Sequence, residues 1–275
     1  MKNILFLGFS FFFTILCFGQ KENDSIYYFN DILIGENSNV NLFAKNIVSK
    51  TSFAKFGCVI DNRSNKYVVV FEDKWEFNFG GNSFWPKKPE QGKVVAAFKK
   101  EMFTIESKDA ANYLMKEFVL KPGGIFTFDP EGSYTEAEPF HLPAKQNKFI
   151  AGNFTLILKN IKKETDETIV KFECTYNGEK IAVISPSNAI IKTDDGKEWA
   201  NAKSDVKPKV LQKGEKTSFI LIWQIPGNIV DMQFAEMDIH WKNSFVETEM
   251  EELFFSNQTI TIDKIKTAEK NKKDK

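Results

Sequence analysis

The sequence predicts an all-β protein of two tandem antiparallel β-sandwiches behind a cleaved leader. Three observations lead there. Apolar and polar residues alternate with period two along most of the chain, clusters of Asn, Asp and Gly separate these runs, and no βαβ alternation occurs. The chain has 275 residues, 42% hydrophobic and 27% charged, with a formal net charge of zero. That is the composition of a soluble globular chain, and at roughly 100–200 residues per domain its length suggests two domains.

Residues 1–19 read MKNILFLGFSFFFTILCFG: a basic start, an apolar run from Ile4 to Phe18, and small Gly19 before the polar Gln20-Lys21-Glu22. A spanning helix needs about 20 apolar residues, so this shorter run predicts a signal peptide cleaved after Gly19, an exported mature chain starting at Gln20 and no transmembrane segment in it. The alternative is a lipoprotein anchored at Cys17, which bulky Leu16 disfavours. The leader has the form of those from Gram-negative Bacteroidetes, and the expected location is the periplasm or the exterior.

The alternating runs are Lys66–Phe71, Trp75–Phe79, Phe154–Leu158, Thr168–Tyr176, Ile181–Ile184, Ser218–Ile225 and Gln258–Ile262. They are short and rich in Val, Ile, Phe and Thr, and turns such as Asn177-Gly178 and Asp194-Asp195-Gly196 bound them. Ile220 and Ile222 make the 218–225 run apolar on both faces, which predicts a mid-sheet strand. Helical spacing occurs at Val40, Phe43, Ala44, Ile47 and Val48, and again at Val246, Met250, Leu253 and Phe254. Both segments are short enough to be decorations, and the second also reads as a strand. Cys58 alternates in phase with Phe56 and Ile60, and Cys174 with Val170, Phe172 and Tyr176, so both are expected as buried free thiols in separate domains.

Ordered landmarks suggest an internal repeat. A strand ends at Asn62, Trp85-Pro86 follows, and Val119-Leu120-Lys121-Pro122-Gly123 leads into a strand. A strand ends at Asn160, Ser185-Pro186 follows, and Val210-Leu211-Gln212-Lys213-Gly214 does the same. The offset of 91 to 100 residues is the size of one immunoglobulin-like sandwich. The loop-like stretch Asp129–Asn147, with four residues that break regular structure (Pro130, Gly132, Pro139 and Pro143), then sets the division. The expected units are a signal peptide over 1–19, a first sandwich with extension and linker over 20–147, a second immunoglobulin-like sandwich over 148–262, and a disordered lysine-rich tail over 263–275.

Phe154–Asn160, Val170–Tyr176, Asp195-Gly196-Lys197-Glu198-Trp199, Leu211–Glu215 and Ser218–Pro226 together resemble immunoglobulin-like domains of unknown function in bacterial secreted proteins. The likeness covers about residues 150–245. It implies a sandwich and an exported location, and it carries no shared catalytic residues. The first half departs from that pattern, lacking the Asp-Gly-Lys turn and carrying Gly124 where the pattern has Glu.

Among 37 basic residues Arg63 is the only arginine, so the planar fork that grips phosphate and guanine is nearly absent and nucleic acid is not an expected partner. The two histidines, His141 and His240, lie far apart in sequence with no metal-ligand spacing, and no Gly-x-Ser-x-Gly occurs. No catalytic residue, metal or cofactor is predicted. Glu247, Glu249, Glu251 and Glu252 read as a solvated face, and Asp194-Asp195-Gly196 as turn chemistry.

The candidates for binding are aromatic, Trp75, Phe84, Trp85 and Trp199, although Trp75 shares a strand face with Phe77 and Phe79 and that face reads as core. Phe84 and Trp85 follow Gly80-Gly81-Asn82-Ser83 and precede Pro86-Lys87, a loop context where aromatics either stack on a ligand or cap the core. The cap is favoured for Trp85, because a bare indole without a partner gains nothing. The expected function is a non-catalytic exported β-sandwich protein acting as an envelope binding or interaction module for a protein or polysaccharide. A carbohydrate-binding module using the loop aromatics is the alternative, and an envelope hydrolase with paired carboxylates a third reading.

Overall fold

The structure, a computed structural model, describes residues 25–87, 91–108, 113–203 and 207–273; the expected leader and its expected cleavage after Gly19 lie outside the described residues. The first half of the chain forms β1 (Tyr27–Tyr28), β2 (Ile32–Glu36), β3 (Val40–Ser49), β4 (Ala54–Asn62) and β5 (Tyr67–Val70). After a 3-10 turn at Glu72–Lys74 come β6 (Glu76–Phe79), β7 (Asn82–Phe84), β8 (Lys93–Val95) and β9 (Lys100–Ser107). It ends with β10 (Glu117–Lys121), β11 (Ile125–Phe128), β12 (Ser133–Tyr134) and β13 (Phe140–Leu142). The second half forms β14 (Lys148–Ala151), β15 (Phe154–Lys163), β16 (Glu167–Tyr176) and β17 (Ile181–Ile184). A second 3-10 turn, Pro186–Asn188, precedes β18 (Ile190–Thr193), β19 (Glu198–Ala200), β20 (Lys209–Leu211) and β21 (Lys216–Gln224). Then follow β22 (Met237–His240), β23 (Phe245–Thr248), β24 (Met250–Glu252), β25 (Gln258–Thr261) and the helix α1 (Lys264–Lys273).

These strands build two β-sandwiches of one topology. In the first, the sheet β1-β3-β4-β9, with β2 also on β3, packs over β25-β10-β6-β7 and β24-β11-β5-β8. In the second, β14-β15-β16-β21 packs over β13-β22-β18-β19 and β12-β23-β17-β20. The strand orders correspond one for one. Tyr67 opening β5 and Ile181 opening β17 are 114 residues apart, Lys93 of β8 and Lys209 of β20 are 116 apart, and Ile125 of β11 and Phe245 of β23 are 120 apart. The expected offset of 91 to 100 came from matching Val119-Leu120 to Val210-Leu211. By strand order the counterpart of Val210-Leu211 is Val94-Val95, in the edge strand β8.

The halves exchange their last strands. β12 and β13 follow β11 in the chain but pair with β23 and β22 of the second sandwich, while β24 and β25 pair back onto β11 and β10 of the first. The stretch 129–147, expected to be a linker, therefore carries two strands of the second sandwich, and residues 250–261, expected in the second sandwich, complete the first. The crossing needs close approach: a Cβ on Gly132 would lie 2.5 Å from the carbonyl oxygen of Glu247, so only glycine lets the chain pass over β23. Residues 264–273 of the expected disordered tail are helical instead. Thr267 Oγ1 accepts from the Tyr28 amide at 3.0 Å and Asn271 Nδ2 donates to the Ile26 carbonyl at 2.9 Å, which ties α1 to the start of the described chain.

A third apolar cluster fuses the sandwiches. It forms between the sheets containing β5 and β17, from Tyr67 and Ile181, Val69 and Val183, Val94 and Val210, and Phe126 and Val246, each pair in equivalent strands. β5 and β17 are consequently apolar on both faces, one toward each sandwich core and one toward this shared layer. The expectation had assigned that character to the 218–225 run. β21 is in fact the last strand of its sheet, and Ile220 on its outer face is 38% exposed. Asn201 covers the free edge by accepting from the Ile222 amide at 3.1 Å.

Both helical expectations resolve into strands. In β3 the inward residues Val40, Leu42 and Ala44 are followed by a bulge with Asn46 at φ 52°, after which Ile47 and Ser49 point inward. This one-residue phase shift imitates helical spacing. Residues 246–254 similarly cross from β23 into β24. Cys58 and Cys174 lie buried and free in separate cores.

Candidate functional site

The four aromatic candidates do not converge. Trp75 is 0% exposed, with its ring 5.3 Å from Phe56 in the first core, so it has no surface to offer a ligand and is corrected to a packing residue. Phe84 is half-buried at the end of that core, 5.2 Å from the Tyr113 ring and 6.5 Å from Phe79. Trp85 is 51% exposed, which corrects the favoured cap reading; alternation along the extended chain turns Phe84 inward and leaves the next side chain outside. Its carbonyl accepts from Ser107 Oγ at 3.3 Å, fixing the backbone beneath the indole. Trp199 sits half-buried on β19 in the other sandwich, packed against the second core.

A cavity lies elsewhere, at the waist between the equivalent edge strands β8 and β20. Phe103, Val94 and Pro208 are among the residues lining this cleft of about 820 Å³. Its size falls in the roughly 300–1,000 Å³ of ligand sites. Four lysines, Lys93, Lys207, Lys209 and Lys216, line it against two glutamates, Glu101 and Glu173. Lys207 Nζ bridges to both oxygens of Glu101 at 2.6 and 2.5 Å, joining the two sandwiches across the cleft. Gln91 Nε2 donates to Thr217 Oγ1 and makes a second cross-link. Glu173 is held by Lys159 at 3.5 Å, and Lys93 reaches Glu72 at 4.0 Å. Among the described residues Lys209 and Lys216 have no carboxylate within ion-pair distance, and the described lining holds four lysines against two glutamates.

Local sequence logic builds these positions. Gly92-Lys93-Val94-Val95 and Pro208-Lys209-Val210-Leu211 are equivalent edge strands in which the central valine enters the shared apolar layer and the last residue enters a sandwich core. The preceding lysine is left at the rim. This Lys-Val-apolar pair is the cleft's sequence signal, and the offset of 91 to 100 residues hides it by matching Val210-Leu211 to Val119-Leu120 instead of Val94-Val95.

Other reactive groups are engaged elsewhere. Burial pushes the Cys58 thiol well above its ordinary range and the Cys174 thiol up to about 12, so neither is a thiolate near neutral pH. The histidines share one sheet: His141 on β13 pairs with Asp238 on β22, two residues before His240. His141 Nδ1 is 2.9 Å from Asp238 Oδ1, and no group of three metal-ligating side chains forms among the described residues. Asp195 is spent on its turn, accepting from Thr193 Oγ1 at 2.6 Å, and Lys197 beside it holds the carboxyl down at about 2. Glu247, expected on a solvated face, instead accepts from Tyr176 Oη at 2.7 Å and Asn153 Nδ2 at 2.8 Å.

No family model and no curated protein matches this chain. Among solved structures, the yjhA protein from Bacillus subtilis is 15% identical with a TM-score of 0.25, covering 29% of this chain and 70% of its own. The secreted serine protease VesC from Vibrio cholerae is 9% identical with a TM-score of 0.18, covering 73% of this chain and 48% of its own. AerE from Microcystis aeruginosa is 9% identical with a TM-score of 0.12, covering 86% and 98%. Likeness at this level carries no functional argument. What fold and site define together is a class: an all-β double sandwich with an open, lysine-lined waist.

Proposed function

We propose that this chain is a non-catalytic exported β-sandwich protein that binds a protein or polysaccharide at the cell envelope, in the periplasm or outside, through its waist cleft. The observation that carries the reading is the cleft's construction. Its two walls belong to different sandwiches, yet the shared apolar layer and the Lys207–Glu101 bridge hold them in register before any ligand arrives. A preformed site avoids the ordering cost of binding. Export rests on the form of the leader. Glu101 and Glu173 line the cleft and are ion-paired with Lys207 and Lys159, which supports binding over paired-carboxylate hydrolysis. A second reading, carbohydrate binding through Trp85, has its half-exposed indole in its favour.

The test is capture from native envelope extract by the mature chain, by a Lys209→Glu/Lys216→Glu variant and by Trp85→Ala. The cleft reading expects the captured component to be lost with the double lysine variant and kept with Trp85→Ala. The opposite pattern moves the site to the Trp85 loop, and equal capture by all three removes both.

A further inference from the structure

We infer that the waist cleft takes a segment of anionic polysaccharide, one whose sugar rings carry carboxylate or sulfate groups. This rests on the binding reading above and narrows its ligand. The lining mixes three chemistries that few ligands satisfy at once. Lys209 and Lys216, without carboxylate partners among the described residues, supply point charges for anionic groups. Glu101 and Glu173 supply acceptors, and Gln91 and Ser218 supply both donors and acceptors, which suits a ligand rich in hydroxyls. Phe103 and Pro208 in the lining supply apolar surface for a sugar ring.

An acidic peptide meets the lysines but offers few hydroxyls to Glu101, Glu173, Gln91 and Ser218. A neutral glycan satisfies the apolar surface and the acceptors and leaves the two lysines unanswered. An acidic glycan answers all three. The paired placement of Lys93 and Lys209 on equivalent edge strands puts cationic groups on both walls, as a chain carrying charges at intervals requires.

The experiment is calorimetric titration of the mature chain with polygalacturonate, dextran sulfate, neutral dextran and poly-glutamate at low and high salt. Binding to polygalacturonate or dextran sulfate is expected, with the preferred one naming the acidic group. It should weaken at least about tenfold at 1 M salt, where the screening length shrinks to about 3 Å. Lys209→Glu/Lys216→Glu should reduce affinity by about tenfold or more, while Lys264→Glu/Lys270→Glu on α1, of identical charge change, should not. Matched denaturation midpoints establish that both variants fold. Equal binding of neutral dextran, tighter binding of poly-glutamate, or equal loss with the α1 variant would overturn the inference. So would silence toward both acidic glycans. If that silence accompanies cleft-dependent capture from envelope extract, only the ligand class is wrong; without such capture, the binding reading falls as well.

Discussion

The second sandwich is drawn from one unbroken stretch, β12 through β23, whereas the first is assembled from β1 through β11 and then waits for β24 and β25 at the far end of the chain. The topology is the same and the chain order is not. Ile260 on β25 is fully buried in the first core, and Phe29 bridges to Ile262, so the earliest described residues depend on some of the last. A repeat in sequence is therefore not the unit that folds in space. The exchange of terminal strands joins the sandwiches, and the cleft at their waist follows from that joining.

The largest expected effect comes from cutting the chain after Glu249, which removes β24, β25 and α1. Hydrogen exchange should show protection lost across β3, β4 and β10 and retained across β15 and β16, because only the first sandwich loses strands and core. Unchanged protection on β10 would mean the first sandwich closes without the exchange. Val183→Asp addresses the shared layer. An uncompensated charge there costs about 3–5 kcal/mol, and the two sandwiches should then melt in separate calorimetric transitions; one undivided transition at the original temperature would show that the layer does not couple them.

Within the first sandwich, Trp75→Ala should cost about 3–5 kcal/mol, the range for truncating a buried indole, read from the denaturation midpoint. Next in size is the thiol contribution. Cys174 is pushed from the ordinary 9.0 up to about 12, so above pH 9 the unfolded chain releases a proton that the folded one retains. Stability falls as pH rises through that window, by about 1.4 kcal/mol per unit for this thiol. Cys174→Val should flatten the slope by that amount, and an identical slope in both proteins would place the thiol in contact with water. Smallest is Trp85→Ala, expected within about 0.5 kcal/mol of the parent as an exposed substitution; a loss comparable with Trp75→Ala would return Trp85 to the core.

Much of the fold was legible because sheet alternation is local. Ile181–Ile184 and Thr168–Tyr176 announced their strands, and Cys174 declared its buried phase through Phe172 and Tyr176. The bulge at Asn46 was not legible, since a one-residue slip in strand phase looks like helical spacing. Strand exchange was hidden for a different reason. Nothing in Phe140-His141-Leu142 or Gln258–Thr261 says which sheet edge accepts them, because backbone ladders carry no side-chain address. The aromatic candidates misled through composition: Trp75 is conspicuous because large core residues are. The cleft lysines were invisible in a chain with 37 basic residues until the sheet order placed Lys93 and Lys209 on equivalent edge strands that line one cleft.

The exchange itself is open to direct observation through cross-strand proton contacts in a deuterated, isotope-labelled sample. The account predicts contacts linking Val119 to Thr259 and Phe118 to Ile260 in the first sandwich, together with contacts linking His141 to Asp238 in the second. Contacts joining residues 258–261 to β22, or residues 140–142 to β10, would show that each half keeps its own terminal strands and would contradict it.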